Sequence, residues 1–183
     1  MQTWLIITIV ISVVVLFVIL LYNSLIRLKN QVKNSFAQID VQLKRRNDLI
    51  PNLVNSVKGY MKHEKSVLEN ITKARSAVMG ASSVEGKAKA SSELTNTLKS
   101  LFAVAEGYPD LKANQNFIQL QEEITGTENK ISYARQHYND MVMLFNTKIQ
   151  KFPNNIIANS LGFSDEESFE ATAQERKNVK VEF

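Results

Sequence analysis

The stretch from Trp4 to Tyr22, WLIITIVISVVVLFVILLY, decides the arrangement of this chain. Its nineteen residues include no charge, no glycine and no proline, and fifteen of them are Leu, Ile, Val or Phe. A helix needs about 20 such residues to cross the hydrocarbon core of a bilayer. Aromatic residues such as Trp4 and Tyr22 favour the two membrane interfaces. The stretch therefore predicts a transmembrane anchor within residues 1–22.

Two other interpretations of this stretch fit less well. A buried core helix would need a second segment apolar enough to surround it, and the sequence offers none. A cleaved signal peptide would need a basic start and a small-residue cleavage site. Residues 1–3 contain no Lys or Arg, and residues 20–23 are LLYN. We therefore expect an uncleaved, single-pass anchor.

The charges that flank the span predict its orientation. Arg27, Lys29 and Lys33 follow the span, whereas no basic side chain precedes it. Basic flanks stay on the cytoplasmic side of a membrane. We therefore expect the N-terminus outside the cell and residues 23–183 in the cytoplasm.

Beyond Tyr22 the apolar residues recur every three or four positions as far as Val78, which indicates one face of a helix. This stripe predicts that the first helix continues to Gly80, with a kink but no break at Pro51. Arg46 and Glu64 fall on the same stripe. Either they lie at its edge with hydrated head groups, which we favour, or they form a buried polar contact.

Three further helices are predicted. One spans about 83–105 after a capping box formed by Ser82 and Glu85, and a short one spans 154–163. The longest, about 112–152, has a repeat in which ten steps cover 35 residues, as in a coiled coil. The repeat consists of Phe117, Leu120, Ile124, Thr127, Ile131, Ala134, Tyr138, Val142, Phe145, Ile149 and Phe152. The predicted fold class is all-α, with the transmembrane helix continuous with an antiparallel four-helix bundle over 23–163.

The remaining residues, 164–183, carry three Lys/Arg against six Asp/Glu. They predict an acidic tail or a short helix capped by Ser164. Because the second helix is short, we also expect the stripe from Leu25 to Leu43 to lack cover from its own chain. Exposed apolar stripes usually have partners, so a homo-oligomer or a membrane-protein partner is expected.

The composition argues against most catalytic and metal-binding sites. The chain has no cysteine and two histidines. His63-Glu64 begins like a zinc-protease motif, but Val67 stands where the second histidine would be. We expect His63 on a helix surface and His137 in packing or hydrogen bonding. Glu122, Glu123 and Glu128 are expected on a solvated face. No catalytic residue, cofactor or metal site is predicted.

The net charge is +4, and residues 27–75 contain eleven Lys/Arg against four Asp/Glu. Beside a membrane such an excess attracts anionic lipid head groups. No basic strip interleaved with aromatic residues is present, so nucleic-acid binding is not expected.

Several motifs resemble the LemA family of bacterial membrane proteins over almost the whole chain. They include IDVQLKRR at 39–46, DLIPNLV at 48–54 and YPDLKAN at 108–114. The residues that carry the resemblance are Ile39, Asp40, Leu43, Arg46, Asp48, Leu49, Pro51, Asn52, Leu53, Tyr108 and Pro109.

The resemblance implies a single span in the bacterial inner membrane, a small outside terminus and a cytoplasmic antiparallel bundle. It implies no catalytic activity and no cofactor. Members of the family often occur beside membrane zinc metalloproteases. We therefore expect a non-enzymatic, self-assembling membrane scaffold or, as the alternative, an accessory subunit of a quality-control protease.

Overall fold

The computed structural model describes residues 2–169, which form helices joined by short connections and contain no strand. The helices are α1 (Gln2–Lys58), α2 (Lys65–Gly80), α3 (Val84–Ala105), α4 (Pro109–Lys112), α5 (Gln115–Gln150) and α6 (Asn154–Ser160). The all-α fold class is confirmed.

The long helices α1 and α5 form the frame of the molecule. They run antiparallel, because Glu128 of α5 contacts Arg46 and Lys148 of α5 contacts Ser24. The shorter helices α2 and α3 pack on the half of this pair that lies away from the N-terminal span, where Lys87 of α3 reaches Asp40. Around Arg46 the molecule is therefore a four-helix bundle, and nearer the span α1 and α5 run without α2 and α3.

The first helix ends earlier than predicted. It passes through Pro51 without a break, as expected, but stops at Lys58 instead of Gly80. Residues 59–64 form a turn whose Met61 is fully buried. The stripe misled the prediction because α2 has the same three-to-four spacing as α1. The turn at 59–64 does not shift the spacing of the apolar residues, so the pattern does not reveal it.

The apolar stripe next to the span is covered by its own chain. Leu25, Val32, Ile39 and Leu43 are all buried. α5 runs the whole length of this stripe, and α6 also contacts α1. The prediction that the stripe lacks cover is therefore wrong, and it no longer supports self-assembly.

Smaller corrections concern the helix ends. The side chain of Ser83, not Ser82, caps α3 by accepting a 3.0 Å hydrogen bond from the N–H of Gly86. The predicted helix 112–152 corresponds to α5, which is shorter at both ends and has Asn114 as its N-cap, while Lys112 ends the separate helix α4. Residues 164–169 are not helical, so Ser164 caps nothing. The rest of the predicted tail, 170–183, lies outside the described residues.

Candidate functional site

The interior of the four-helix bundle contains a charged side chain. Arg46 is fully buried, and its two terminal nitrogens donate four hydrogen bonds. They reach the Glu128 carboxylate, the Thr95 hydroxyl at 2.9 Å, and the hydroxyl and carbonyl oxygens of Ser91 at 2.9 and 3.3 Å. Thr95 in turn donates to the second carboxylate oxygen of Glu128 at 2.9 Å. One residue of α1 thereby links α3 and α5.

Burial lowers the pKa of Arg46, and the attraction of Glu128 opposes that effect. Arg46 remains charged at neutral pH because an arginine starts from so high a pKa. A buried charge is tolerated when it is paired and hydrogen-bonded. The prediction that Arg46 lies at the stripe's edge is therefore wrong, whereas Glu128, expected on a solvated face, pairs with Arg46 and keeps 34% side-chain exposure. The signal was present in the sequence, since Arg46 fell on the apolar face itself.

A second set of polar contacts lies nearer the span. Lys87 of α3 pairs with Asp40 at 2.6 Å and lies 4.9 Å from the ring centroid of Phe36. Phe36 packs on Tyr138, with ring centroids 5.5 Å apart. The Tyr138 hydroxyl donates a 2.7 Å hydrogen bond to the carbonyl of Glu167. Burial, followed by the charges of Glu166 and Glu167, raises the pKa of Tyr138 to about 12.

Two asparagines hold the segment after α6 against α5. The amide of Asn146 bonds both the N–H and the carbonyl of Glu166, each at 2.9 Å. The amide of Asn139 does the same for Phe169, at 2.8 and 3.1 Å. Seven helical residues rise about 10.5 Å, and three extended residues span about 10 Å. The seven-residue spacing of the asparagines therefore matches the three-residue spacing of their targets.

The side of the α1–α5 pair that faces away from α3 and from the segment after α6 is exposed to solvent. A shallow groove there is lined by Asn34, Ala37, Gln38, Val41, Gln42, Lys130, Tyr133, Ala134 and His137. Val41 and Tyr133 are large apolar side chains that point to solvent. We call this surface the open face. Val41 and Tyr133 were not predicted as surface contacts from the sequence, because they lie off the buried stripes, whereas Ala134 was predicted as a member of the α5 repeat.

Four of the predicted interface residues, Tyr22, Arg27, Lys29 and Lys33, lie at one end of the bundle, whereas Trp4 lies at the far end of the span. Trp4 is exposed near the start of α1. The rings of Tyr22 and Phe163 pack edge to face, with centroids 6.2 Å apart. Lys29 pairs with Glu166 at 3.5 Å and also approaches the Phe163 ring. Arg27 and Lys33 are exposed. Tyr22 and Lys29 thus both contact residues 161–169, which follow α6 and which we call the terminal segment.

The family-motif residues lie on α1 and at the start of α4, the short helix before α5. Ile39, Leu43 and Leu53 are in the core. Asp48, Pro51 and Asn52 are exposed, and Leu49 is partly buried. Pro109 begins α4, and the hydroxyl of Tyr108 donates to Glu64 at 3.4 Å.

Glu64 lies just before α2, off the helix stripe that was predicted to hold it. Burial, then the Glu64 charge, raises the pKa of Tyr108.

The two histidines do not form a site with acidic neighbours. His63 is exposed in the turn after α1 instead of on a helix surface, and His137, which was expected in packing or hydrogen bonding, is exposed as part of the open face. Among residues 2–169, no group of three or more His, Asp or Glu side chains is placed to hold a metal ion.

Within the described part of the chain, α1 is the one helix long and apolar enough to cross a membrane. An apolar N-terminal helix that continues directly into an antiparallel bundle defines a class of protein with an anchor and a helical domain. The model of the LemA family matches residues 35–183, and the chain belongs to this family.

Relatives include Protein LemA of Metamycoplasma hominis, which is 30% identical over 161 residues, 86% of this chain and 72% of the relative. Magnetosome protein MamQ 2 of Paramagnetospirillum magneticum is 25% identical over 189 residues, 88% of this chain and 70% of the relative. Magnetosome protein MamQ of Magnetospirillum gryphiswaldense is 22% identical over 174 residues, 81% of this chain and 64% of the relative.

Proposed function

We propose that this chain is a membrane-anchored, non-enzymatic scaffold that self-associates through α1 and the open face. The observation that carries this proposal is the continuity of α1 from Gln2 to Lys58. Because one helix contains both the apolar span and the spine of the bundle, two spans that meet in a membrane bring two bundles together.

The span has a feature that favours close approach. Thr8 and Ser12 are small residues four positions apart, and each hydroxyl already donates a 2.9 Å hydrogen bond to a carbonyl of its own helix. A small-xxx-small pair lets two membrane helices pack closely. Since neither hydroxyl depends on a partner, the pair can meet a second span without losing hydrogen bonds.

The open face supplies a second contact beyond the span. It runs along the side of α1 and α5 opposite α3 and the terminal segment, and it exposes Val41 and Tyr133. Aromatic residues are enriched at protein interfaces. The buried guanidinium of Arg46, in contrast, pairs with Glu128 inside the bundle, which supports a structural role for this pair.

A photo-crosslinking amino acid at Tyr133 tests self-association in native membranes. The expected product is a covalent dimer, and Val41→Glu should reduce its yield. The same probe at Met79, which is similarly exposed but lies outside the groove, is the control and should give no dimer. A lack of dimer from Tyr133 would contradict self-association, and an adduct with a membrane protease would favour the accessory role instead.

We place the bundle in the cytoplasm of a bacterial cell and the N-terminus outside. The exposed Arg27 and Lys33 at the bundle end of the span support this orientation. The chain has no cysteine, so single substitutions can be labelled selectively. An impermeant maleimide added to intact cells should label Gln2→Cys and leave Lys33→Cys unmodified until lysis. Labelling of Lys33→Cys in intact cells would reverse the orientation.

A further inference from the structure

The region around α6 has large apolar side chains that are exposed in the part of the chain that the structure describes. Phe152 is 79% exposed, Ile156 62% and Leu161 47%. Phe152 was predicted as the last member of the buried repeat of α5, and that prediction is wrong because α5 ends at Gln150. Ala158, within α6, is fully buried, so the helix is docked on the bundle while its other side remains exposed.

The register of α1 against α5 sets the level of these residues. Glu128 contacts Arg46, and Lys148 contacts Ser24, so α5 and α1 advance at nearly the same rate in opposite directions. Phe152 lies four residues beyond Lys148. α5 itself ends at Gln150, two residues beyond Lys148 and level with about Tyr22, so Phe152 follows just past this level, next to the end of the apolar stretch.

Burial within the span gives independent evidence for this level. Leu21 is 6% exposed and Val18 is partly buried, whereas their neighbours Phe17 and Leu20 are exposed. α6 contacts α1, and Phe163 contacts the Tyr22 ring. The end of the bundle thus overlaps the last turn of the predicted span, which is expected at the membrane interface.

We propose that α6 and its flanking residues form a second membrane contact, in which Phe152, Ile156 and Leu161 enter the lipid interface beside the span. The occupant of this surface is the leaflet on the bundle's side, because the segment that contains these side chains contacts α1 at Tyr22, at the end of the apolar stretch. Short apolar faces of this kind lie in the boundary between head groups and acyl chains. Exposed Lys151 and Arg27, near the same level, fit anionic head groups.

This inference rests on the proposed membrane anchor, and its test separates the two. Single Ile11→Cys, Phe152→Cys, Ile156→Cys and Met79→Cys variants of the full chain carry nitroxide labels in liposomes of phosphatidylcholine and phosphatidylglycerol. Oxygen concentrates in the bilayer and a nickel chelate stays in water, so the ratio of their collision rates reports depth. All four native side chains are exposed, so the labels displace no packing.

The expected ratio is high at Ile11, raised at Phe152 and Ile156, and low at Met79. A high ratio at Ile11 with Phe152 and Ile156 as low as Met79 would overturn the second contact and leave the anchor intact. A low ratio at Ile11 would overturn both.

Discussion

The Nε–H of Arg75, on α2, donates a 3.0 Å hydrogen bond to the main-chain carbonyl of Asn47, on α1. This carbonyl lies four residues before Pro51, which has no N–H to donate to it. α2 therefore supplies the donor that the proline lacks, and α1 passes through Pro51 at a reduced cost. The contact also fixes α2 against α1 at one register.

Arg75→Met should lower the free energy of unfolding by about 1–2 kcal/mol, because the Asn47 carbonyl is left without its donor. In a Pro51→Ala background the cost should fall, since the introduced alanine would provide the missing N–H. Urea unfolding of the full chain in detergent, followed by circular dichroism, measures the four corners of this cycle. Lys73→Met, at an exposed position of α2, is the control. An equal cost in both backgrounds would refute the coupling.

The pair of Arg46 and Glu128 predicts an asymmetric result. The Arg46 side chain is fully buried, whereas the Glu128 side chain keeps 34% exposure. Glu128→Leu should cost about 3–5 kcal/mol because it leaves a buried charge unpaired. Arg46→Met should cost less, since Glu128 can turn toward water, and the double variant should unfold close to the wild type. The same urea experiment checks the order, and a larger loss for Arg46→Met than for Glu128→Leu would reverse it.

Tyr138 makes stability depend on pH in the alkaline range. Its pKa is raised to about 12 in the fold, against about 10 for a free tyrosine. The stabilisation is complete below pH 10 and is lost as the pH rises through 12, because the phenol must keep its proton to donate to Glu167. From pH 9 to pH 12 the wild type should lose on the order of 1–2 kcal/mol more than Tyr138→Phe, once solvent screening of the nearby charges is allowed for. Tyr133→Phe, which changes an exposed ring, should lose as much as the wild type.

The asparagine contacts predict local protection from hydrogen exchange. The N–H groups of Glu166 and Phe169 donate to the side chains of Asn146 and Asn139. In an Asn139→Ala/Asn146→Ala variant both amides should exchange at least tenfold faster, since each loses a hydrogen bond worth about 1–2 kcal/mol. Asn129→Ala, at an exposed position of α5, should leave both rates unchanged. Unaltered exchange in the double variant would show that apolar packing alone holds the segment.

The sequence predicts well what depends on periodicity and fails where distant segments meet. The apolar run and the stripes gave the all-α class and, to within about three residues, the bounds of α3, α5 and α6. They did not reveal the turn at 59–64, because α2 continues the spacing of α1. They placed Arg46 on a buried face, but its partners Ser91 and Glu128 are 45 and 82 residues away.

The same limit applies to the terminal segment. Asn139 and Asn146 look like ordinary polar positions of a helix, and only the folded chain shows that Glu166 and Phe169 run past them. The exposure of Phe152 was missed because the repeat of α5 extends two residues past the helix itself.

Because α1 is one uninterrupted helix, a tilt of the span also tilts the bundle. Thirty-six residues separate Tyr22 from Lys58, which amounts to roughly 54 Å of rigid rod. If the span tilts by about 10°, as it would to match a thinner bilayer, the far tip of the bundle swings sideways by roughly 9 Å. The position of the turn at 59–64 relative to the membrane therefore depends on the thickness of the bilayer around Trp4 to Tyr22.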